Sequence, residues 1–176
     1  MTEYRQLKEN EINAGLLDGF IRRQVVTKCL RRENGAWIAK NAPFIDDWTQ
    51  KDREWIAAEL KNLAGRGGLV YAAYCGGKLA GFASVSAETL GESGEYLELT
   101  NIHVTEAMRG RGIGRALFYA AAEWAKAHGA KKLYISAHSS VESQAFYNAL
   151  GCTDAELYSP RHIETEPFDI QMEYRL

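Results

Sequence analysis

Apolar positions run almost unbroken from Leu69 to Tyr74 and again from Lys78 to Val85. Short apolar runs bounded by turn residues suit buried strands. Gly76-Gly77 between them suits a two-residue hairpin turn. A polar turn, Gly91 to Gly94, leads to a third strand over Glu95–Val104. The rhythm then becomes helical from Gly114 to His128, with Leu117, Ala121, Trp124 and Ala125 on one face and Gly129 as the stop. Leu133–Ala137 reads as a short strand and Ser143–Leu150 as a helix closed by Gly151. Phe168, Ile170, Met172 and Tyr174 alternate within a final strand placed over Ile163–Leu176. Upstream, Tyr4–Leu7 opens a short strand, and Glu9–Cys29 reads as a helix weakened at Gly15 and Gly19. Leu30–Trp48 reads as irregular chain whose Trp37, Phe44 and Trp48 are expected to pack. Thr49 caps a helix through Trp55, Ile56, Leu60 and Leu63 to a stop at Gly65-Arg66-Gly67-Gly68. Strands precede and alternate with helices, so the expected class is α/β (α+β), a sandwich around a mixed sheet.

Composition narrows the functional classes. A chain of 176 residues with 46% hydrophobic and 25% charged positions fits one compact domain with a proper core. A net charge of −2 gives no electrostatic basis for nucleic-acid binding. Cys29, Cys75 and Cys152 are odd in number and follow no paired spacing, which argues against a disulfide framework or a metal cluster. Charges interrupt every apolar run before membrane-spanning length, and residues 1–5 lack a basic-then-apolar leader pattern. The expectation is a cytoplasmic protein with no membrane partner.

The stretch Glu98-Leu99-Thr100-Asn101-Ile102-His103-Val104 breaks strand parity. Leu97 and Leu99 share one phase, Ile102 and Val104 the other. Strict alternation of side chains forbids all four from one face, unless an extra residue near Thr100 or Asn101 makes a bulge. A strand buried on both faces explains the same pattern. Downstream, Gly112 and Gly114 stand where a helix begins, among Arg109, Arg111 and Arg115. Glycine permits positive φ and close approach to the main chain, and a helix start attracts an anion. A pyrophosphate suits this turn. A P-loop requires Lys-Ser/Thr after its glycines, whereas Arg115-Ala116 follows Gly114 here. A dinucleotide fingerprint needs a small third residue, where this chain has Arg115 or, in the shifted frame, Leu117.

Together these residues resemble the GNAT superfamily of N-acetyltransferases. Arg109, Gly112 and Gly114 match its Arg/Gln-x-x-Gly-x-Gly/Ala phosphate motif. Leu99, Ile102 and Val104 match its preceding strand, and Phe146-Tyr147-Asn148-Ala149-Leu150-Gly151 its second signature. Where many members carry Asn seven residues before the tyrosine, this chain has Ser140. The resemblance covers about Leu79 to Cys152. It implies one N-acetyltransferase domain over 1–176, with 1–68 shaping the acceptor site and 69–176 forming the cofactor core. The implied sheet is mixed, mostly antiparallel, flanked by helices and splayed between the family's fourth and fifth strands.

The co-substrate implied is acetyl-coenzyme A, with no metal. Its pantetheine would lie along Ile102, His103 and Val104, its pyrophosphate on Gly110, Arg111, Gly112, Ile113, Gly114 and Arg115 beside Arg109, with Ser140 nearby. Acetyl transfer to an amine needs a stabilised oxyanion, for which the backbone N–H of Ile102 is the candidate, and a proton for the departing thiolate. The resemblance gives that second role to Tyr147, a phenol that stays protonated at neutral pH. Glu98 is the candidate base for the amine, with His138 and His103 as alternatives. The acceptor expected is a small-molecule amine rather than a protein, and a homodimer is compatible with the reading. A coenzyme-A-binding module without catalysis is the alternative.

Overall fold

The computed structural model describes residues 1–176. Its strands are β1 (Thr2–Gln6), β2 (Gln24–Glu33), β3 (Ala36–Asp46), β4 (Leu69–Cys75), β5 (Lys78–Leu90), β6 (Tyr96–Val104), β7 (Lys132–Ala137), β8 (Thr153–Asp154) and β9 (Ile170–Arg175). The helices are α1 (Gln50–Gly65), α2 (Ile113–Ala127), α3 (Val141–Ala149) and α4 (Pro160–Thr165). Seven strands form one sheet in the order β1-β4-β5-β6-β7-β9-β8, and β2 pairs with β3 in a separate hairpin. Every pairing in the sheet is antiparallel except β6 with β7. The expected mixed, mostly antiparallel sheet flanked by helices is the observed architecture.

Alternation along β4 divides the core. Leu69 and Ala73 point into a cluster built with Leu117, Phe118 and Ala121 of α2. Val70 and Ala72 point to the opposite face, where Ile56 and Leu60 of α1 join Leu7, Ile12, Leu17 and Phe20. Helix α1 begins where its sequence signal lies: the Thr49 hydroxyl accepts from the Asp52 N–H at 3.3 Å, and the Asp52 carboxylate accepts from the Thr49 N–H at 2.7 Å. This reciprocal box satisfies two backbone donors that a helix start leaves open.

Three expectations need correction. The helix placed over Glu9–Cys29 is absent; a single 3₁₀ turn covers Glu9–Glu11, and β2 begins at Gln24. Gly19 adopts φ 75°, outside the helical region, and Val25, Val26 and Thr27 favour extended chain. Leu30–Trp48 is regular rather than irregular, because Asn34 (φ 50°) and Gly35 (φ 82°) form the positive-φ turn of a hairpin. Trp37 and Phe44 stand on that hairpin 37% and 41% exposed and join no core cluster, Phe44 resting only against the His138 ring; Trp48 does pack, against Phe20 and Phe82. The final strand is shorter than read, since Pro160 starts a helical turn and β9 begins at Ile170.

Candidate active site

The parity break in β6 is a bulge. Asn101 pairs with Ser84 and Leu99 with Val85, leaving Thr100 without a partner in β5. One extra residue returns Ile102 and Val104 to the face on which Leu97 and Leu99 pack. The buried Ser84 pins it: its hydroxyl lies 2.7 Å from Thr100 Oγ1 and accepts from Asn101 Nδ2 at 3.0 Å. Just before the bulge β6 also parts from β7. The two strands pair only at Tyr96, Leu97 and Glu98, opposite Lys132, Leu133 and Tyr134. Beyond Glu98 the β7-facing edge of β6 has no strand partner.

A cavity of about 960 Å³ fills this gap and runs to the start of α2. Ile102, His103, Val104, Arg109, Gly110, Gly112, Ile113, Gly114 and Arg115 line it, as do His138 and Tyr147. Gly112 caps α2 at φ 79°, a conformation that side chains disfavour. A Cβ on Gly114 would meet Phe146 Cε2 at 3.2 Å, so glycine lets α2 start close against α3. The first turn of α2 holds no acidic residue, and helix geometry leaves its N–H groups open. An anion is therefore favoured there by both hydrogen bonding and the dipole. The sequence-selected backbone and the glycine turn thus come together in one wall.

Tyr147 is 8% exposed and its hydroxyl makes no hydrogen bond within the protein. Burial holds its phenol above the ordinary tyrosine range, and Cys152 and Asp169 push the same way. The group stays a proton donor throughout the physiological range. Cys152 is a buried core residue whose thiol burial pushes up to about 12, far from a nucleophile's range.

The remaining sequence candidates separate. His103 faces the cavity edge with its ring committed: Arg22 Nε donates to its Nδ1 at 3.1 Å, and Trp48 and Phe82 pack on it. Burial and the Arg22 charge drive its pKa down to about 3, so it stays neutral. His138 accepts from the Ser140 N–H at 3.1 Å, and burial lowers its pKa. Ser140 is wholly buried and caps α3, accepting from the Ser143 N–H at 3.2 Å and from Gln24 Nε2 at 3.1 Å; it does not line the cavity. Arg111 likewise stays outside the cavity lining. Glu98 lines a second cavity of about 540 Å³, on the α1 side, with Trp55, Leu63, Leu90 and His162. The two cavities share Leu99, Thr100, Asn101, Ser136 and Glu166, so they meet at the bulge.

Arg22, from the loop before β2, bridges His103 and Asp46, the latter at 3.0 Å, inside the larger cavity. Asp46, His162, Glu166 and Asp169 were not singled out at all. No local signal marks them, because they arrive from β3, α4 and the turn before β9.

A family model described as Acetyltransferase (GNAT) family matches residues 30–152, well over half of the chain. The chain belongs to the GNAT acetyltransferase family. The sequence search of curated proteins finds no match. Solved structures share the fold at low identity. A nourseothricin acetyltransferase is 20% identical with TM-score 0.72, covering 99% of this chain and 98% of its own. A Bacillus anthracis str. Ames protein provisionally assigned as a streptothricin acetyltransferase, solved with acetyl-coenzyme A, is 16% identical with TM-score 0.73, covering 100% and 99%. The PaiA N-acetyltransferase of Thermoplasma acidophilum, solved with coenzyme A, is 14% identical with TM-score 0.61, covering 100% and 99%. In this GNAT chain no helix is long and apolar enough to cross a membrane.

Proposed function

We propose that residues 1–176 act as one cytoplasmic N-acetyltransferase domain that moves the acetyl group of acetyl-coenzyme A onto a primary amine of a small molecule. The observation that carries this reading is the meeting of two cavities at the β6 bulge, one ending in the open helix start, the other in a half-polar pocket. The first would hold coenzyme A: the N–H groups of Gly110–Arg115 would take its diphosphate, and the unpaired edge at Ile102 and Val104 its pantetheine. Acetyl-coenzyme A supplies an activated acyl group when bound. The acceptor enters from the second cavity, whose Trp55, Leu63 and Leu90 give apolar contact and whose glutamates, Glu59, Glu88, Glu98 and Glu166, outnumber Arg66 and Arg161 and so favour a cation. The fold likeness to proteins named for nourseothricin and streptothricin supports a small-molecule acceptor.

The chain's own groups then divide the work. The amine attacks the thioester carbon directly, the Ile102 N–H stabilises the oxyanion, and Glu98 takes the amine proton directly or through water. Burial raises the Glu98 carboxyl above its usual range while the nearby His162 and Arg161 pull it back, which suits a base working near neutrality. Tyr147 protonates the departing sulfur. A thiol-release screen of acetyl-coenzyme A against lysine, spermidine and kanamycin, with mass detection of the N-acetyl product, tests the reading. Acetylation of at least one amine is expected. Binding of coenzyme A with no product from any amine contradicts catalysis and leaves a binding module.

A further inference from the structure

Glu98 does not face the second cavity alone. The Oε1 of Glu98 lies 2.9 Å from Nε2 of His162, on α4, and Nδ1 of the same ring lies 3.8 Å from Oε2 of Glu166. The side chains of Glu98 and His162 are 16% and 14% exposed, whereas that of Glu166 is 52% exposed. One imidazole therefore stands between a nearly enclosed carboxylate, in contact with it, and a half-exposed one a little beyond hydrogen-bond reach. The ring is held in place. Tyr134 packs against it with centroids 5.4 Å apart, and Tyr134 Oη donates to Gln171 Oε1 at 2.5 Å. The same Gln171 oxygen accepts from the Ser159 N–H at 2.7 Å, which anchors the start of α4. Ser136 Oγ donates to Glu166 Oε2 at 3.0 Å, fixing the outer carboxylate as well.

We infer that His162 relays the acceptor's surplus proton from Glu98 toward Glu166 and so to solvent. This rests on the proposed acetyl transfer, and the chemistry of that transfer requires an exit. An acceptor arriving as an ammonium gives up two protons on becoming an amide; one is balanced by the proton that ends on sulfur, and one must reach water. With the ring in its Nδ1–H tautomer, the nitrogen's proton passes to the Glu98 carboxylate and then to the free Nε2 of His162, forming an imidazolium. The Nδ1 proton leaves to water beside the exposed Glu166 carboxylate, which draws it outward from 3.8 Å, and exchange with solvent returns the ring to its starting tautomer. No oxidant or further reactant enters. An imidazole suits the step because it accepts at one nitrogen while releasing from the other near neutrality. A salt bridge that only anchored α4 would need neither the second carboxylate on the far nitrogen nor the gradient of exposure.

Other charged groups around the ring are Arg161 on its own helix and Asp169, which touches the same Ser136 hydroxyl at 3.5 Å. Both are fixed in the variants below, so they do not mimic the expected effect.

The test uses the full chain, acetyl-coenzyme A and whichever of lysine, spermidine or kanamycin is acetylated fastest. In His162→Ala, kcat is expected to fall about 10- to 100-fold while KM for acetyl-coenzyme A stays within about twofold. Added imidazole should restore much of that rate with a saturating dependence, an effect a purely structural role would not give. In Glu166→Gln, half exposed and so tolerant of change, the rate should fall in dilute buffer and recover as buffer concentration rises. A wild type that acetylates the amine alongside a folded His162→Ala of unchanged rate overturns the relay alone. So does a reduced rate that ignores imidazole. Should His162→Ala fail to fold, a Glu166→Gln rate indifferent to buffer overturns it. A wild type that acetylates nothing removes the parent reading, and the relay with it.

Discussion

Replacing Tyr147 with phenylalanine removes one oxygen and leaves the ring. That ring is 8% exposed, packs against Phe146 with centroids 5.2 Å apart, and belongs to the larger core cluster. Its hydroxyl makes no hydrogen bond within the protein, so no partner is orphaned by its loss. The folded state should therefore change by less than about 1 kcal/mol, or less than about 4 °C in Tm for a chain of this size. Catalysis should respond quite differently. A positioned general acid contributes about 10²- to 10⁴-fold, equivalent to about 2.7–5.4 kcal/mol of barrier. Thiol release at saturating acetyl-coenzyme A should fall by that factor, with the calorimetric affinity for coenzyme A changed by no more than about twofold. Because burial holds the phenol above its ordinary range, the wild-type rate should show no tyrosine limb up to about pH 10. A Tyr147→Phe variant that keeps its rate within about threefold refutes the assignment.

Three further outcomes follow from the same geometry. Ser84→Ala removes the buried hydroxyl that holds Thr100 and Asn101, leaving the half-buried amide donor of Asn101 without that partner; chemical denaturation should show a loss of about 1 kcal/mol, accompanied by lower kcat. Gly112→Ala has open space for its methyl but must hold φ 79°, so it should cost about 1–2 kcal/mol and weaken coenzyme A binding, both read by thermal shift with and without ligand. Asp169→Asn should stabilise the protein at pH 8 and change little at pH 4. Burial, with Glu166 beside it, lifts the Asp169 carboxyl to about 7, so the folded chain holds that proton to higher pH than the unfolded chain. Wild-type stability is thus eroded as pH rises from about 4 through 7, by about 4 kcal/mol at most and roughly half that once water screens the partly exposed carboxyl, and the amide escapes that penalty. Equal pH dependence of the two proteins contradicts this reading.

The parts of the fold that sequence revealed are those governed by neighbours in the chain. Thr49 with Asp52 announces α1, and Gly76-Gly77 turns β4 into β5. The phase of Leu97, Leu99, Ile102 and Val104 marks the bulge, because a one-residue offset must be absorbed somewhere if one face is buried. The hairpin of β2 and β3 forms a separate sheet that touches the loop after β7 through Cys29 and Leu30, and β3 is largely exposed, so no sustained alternation of apolar and polar residues betrays it. Its one local signal, Asn34-Gly35, is a strong hairpin turn that the helical reading of Glu9–Cys29 obscured. The active site divides in the same way. Arg109 to Arg115 and Tyr147 are marked by spacing within single elements. Arg22, Asp46, His162 and Glu166 acquire meaning only when β3, α4 and the loop before β2 close around β6, which no periodicity records. Glu98 was legible as a strand carboxylate, but its imidazole partner 64 positions later was not.

The central claim is that the unpaired edge of β6 and the open start of α2 form one cradle for coenzyme A. Calorimetric titration of the folded protein with coenzyme A tests it most directly. The account predicts saturable one-to-one uptake that Gly112→Ala weakens. A flat titration on protein with a cooperative thermal transition, unmoved by the ligand, contradicts it.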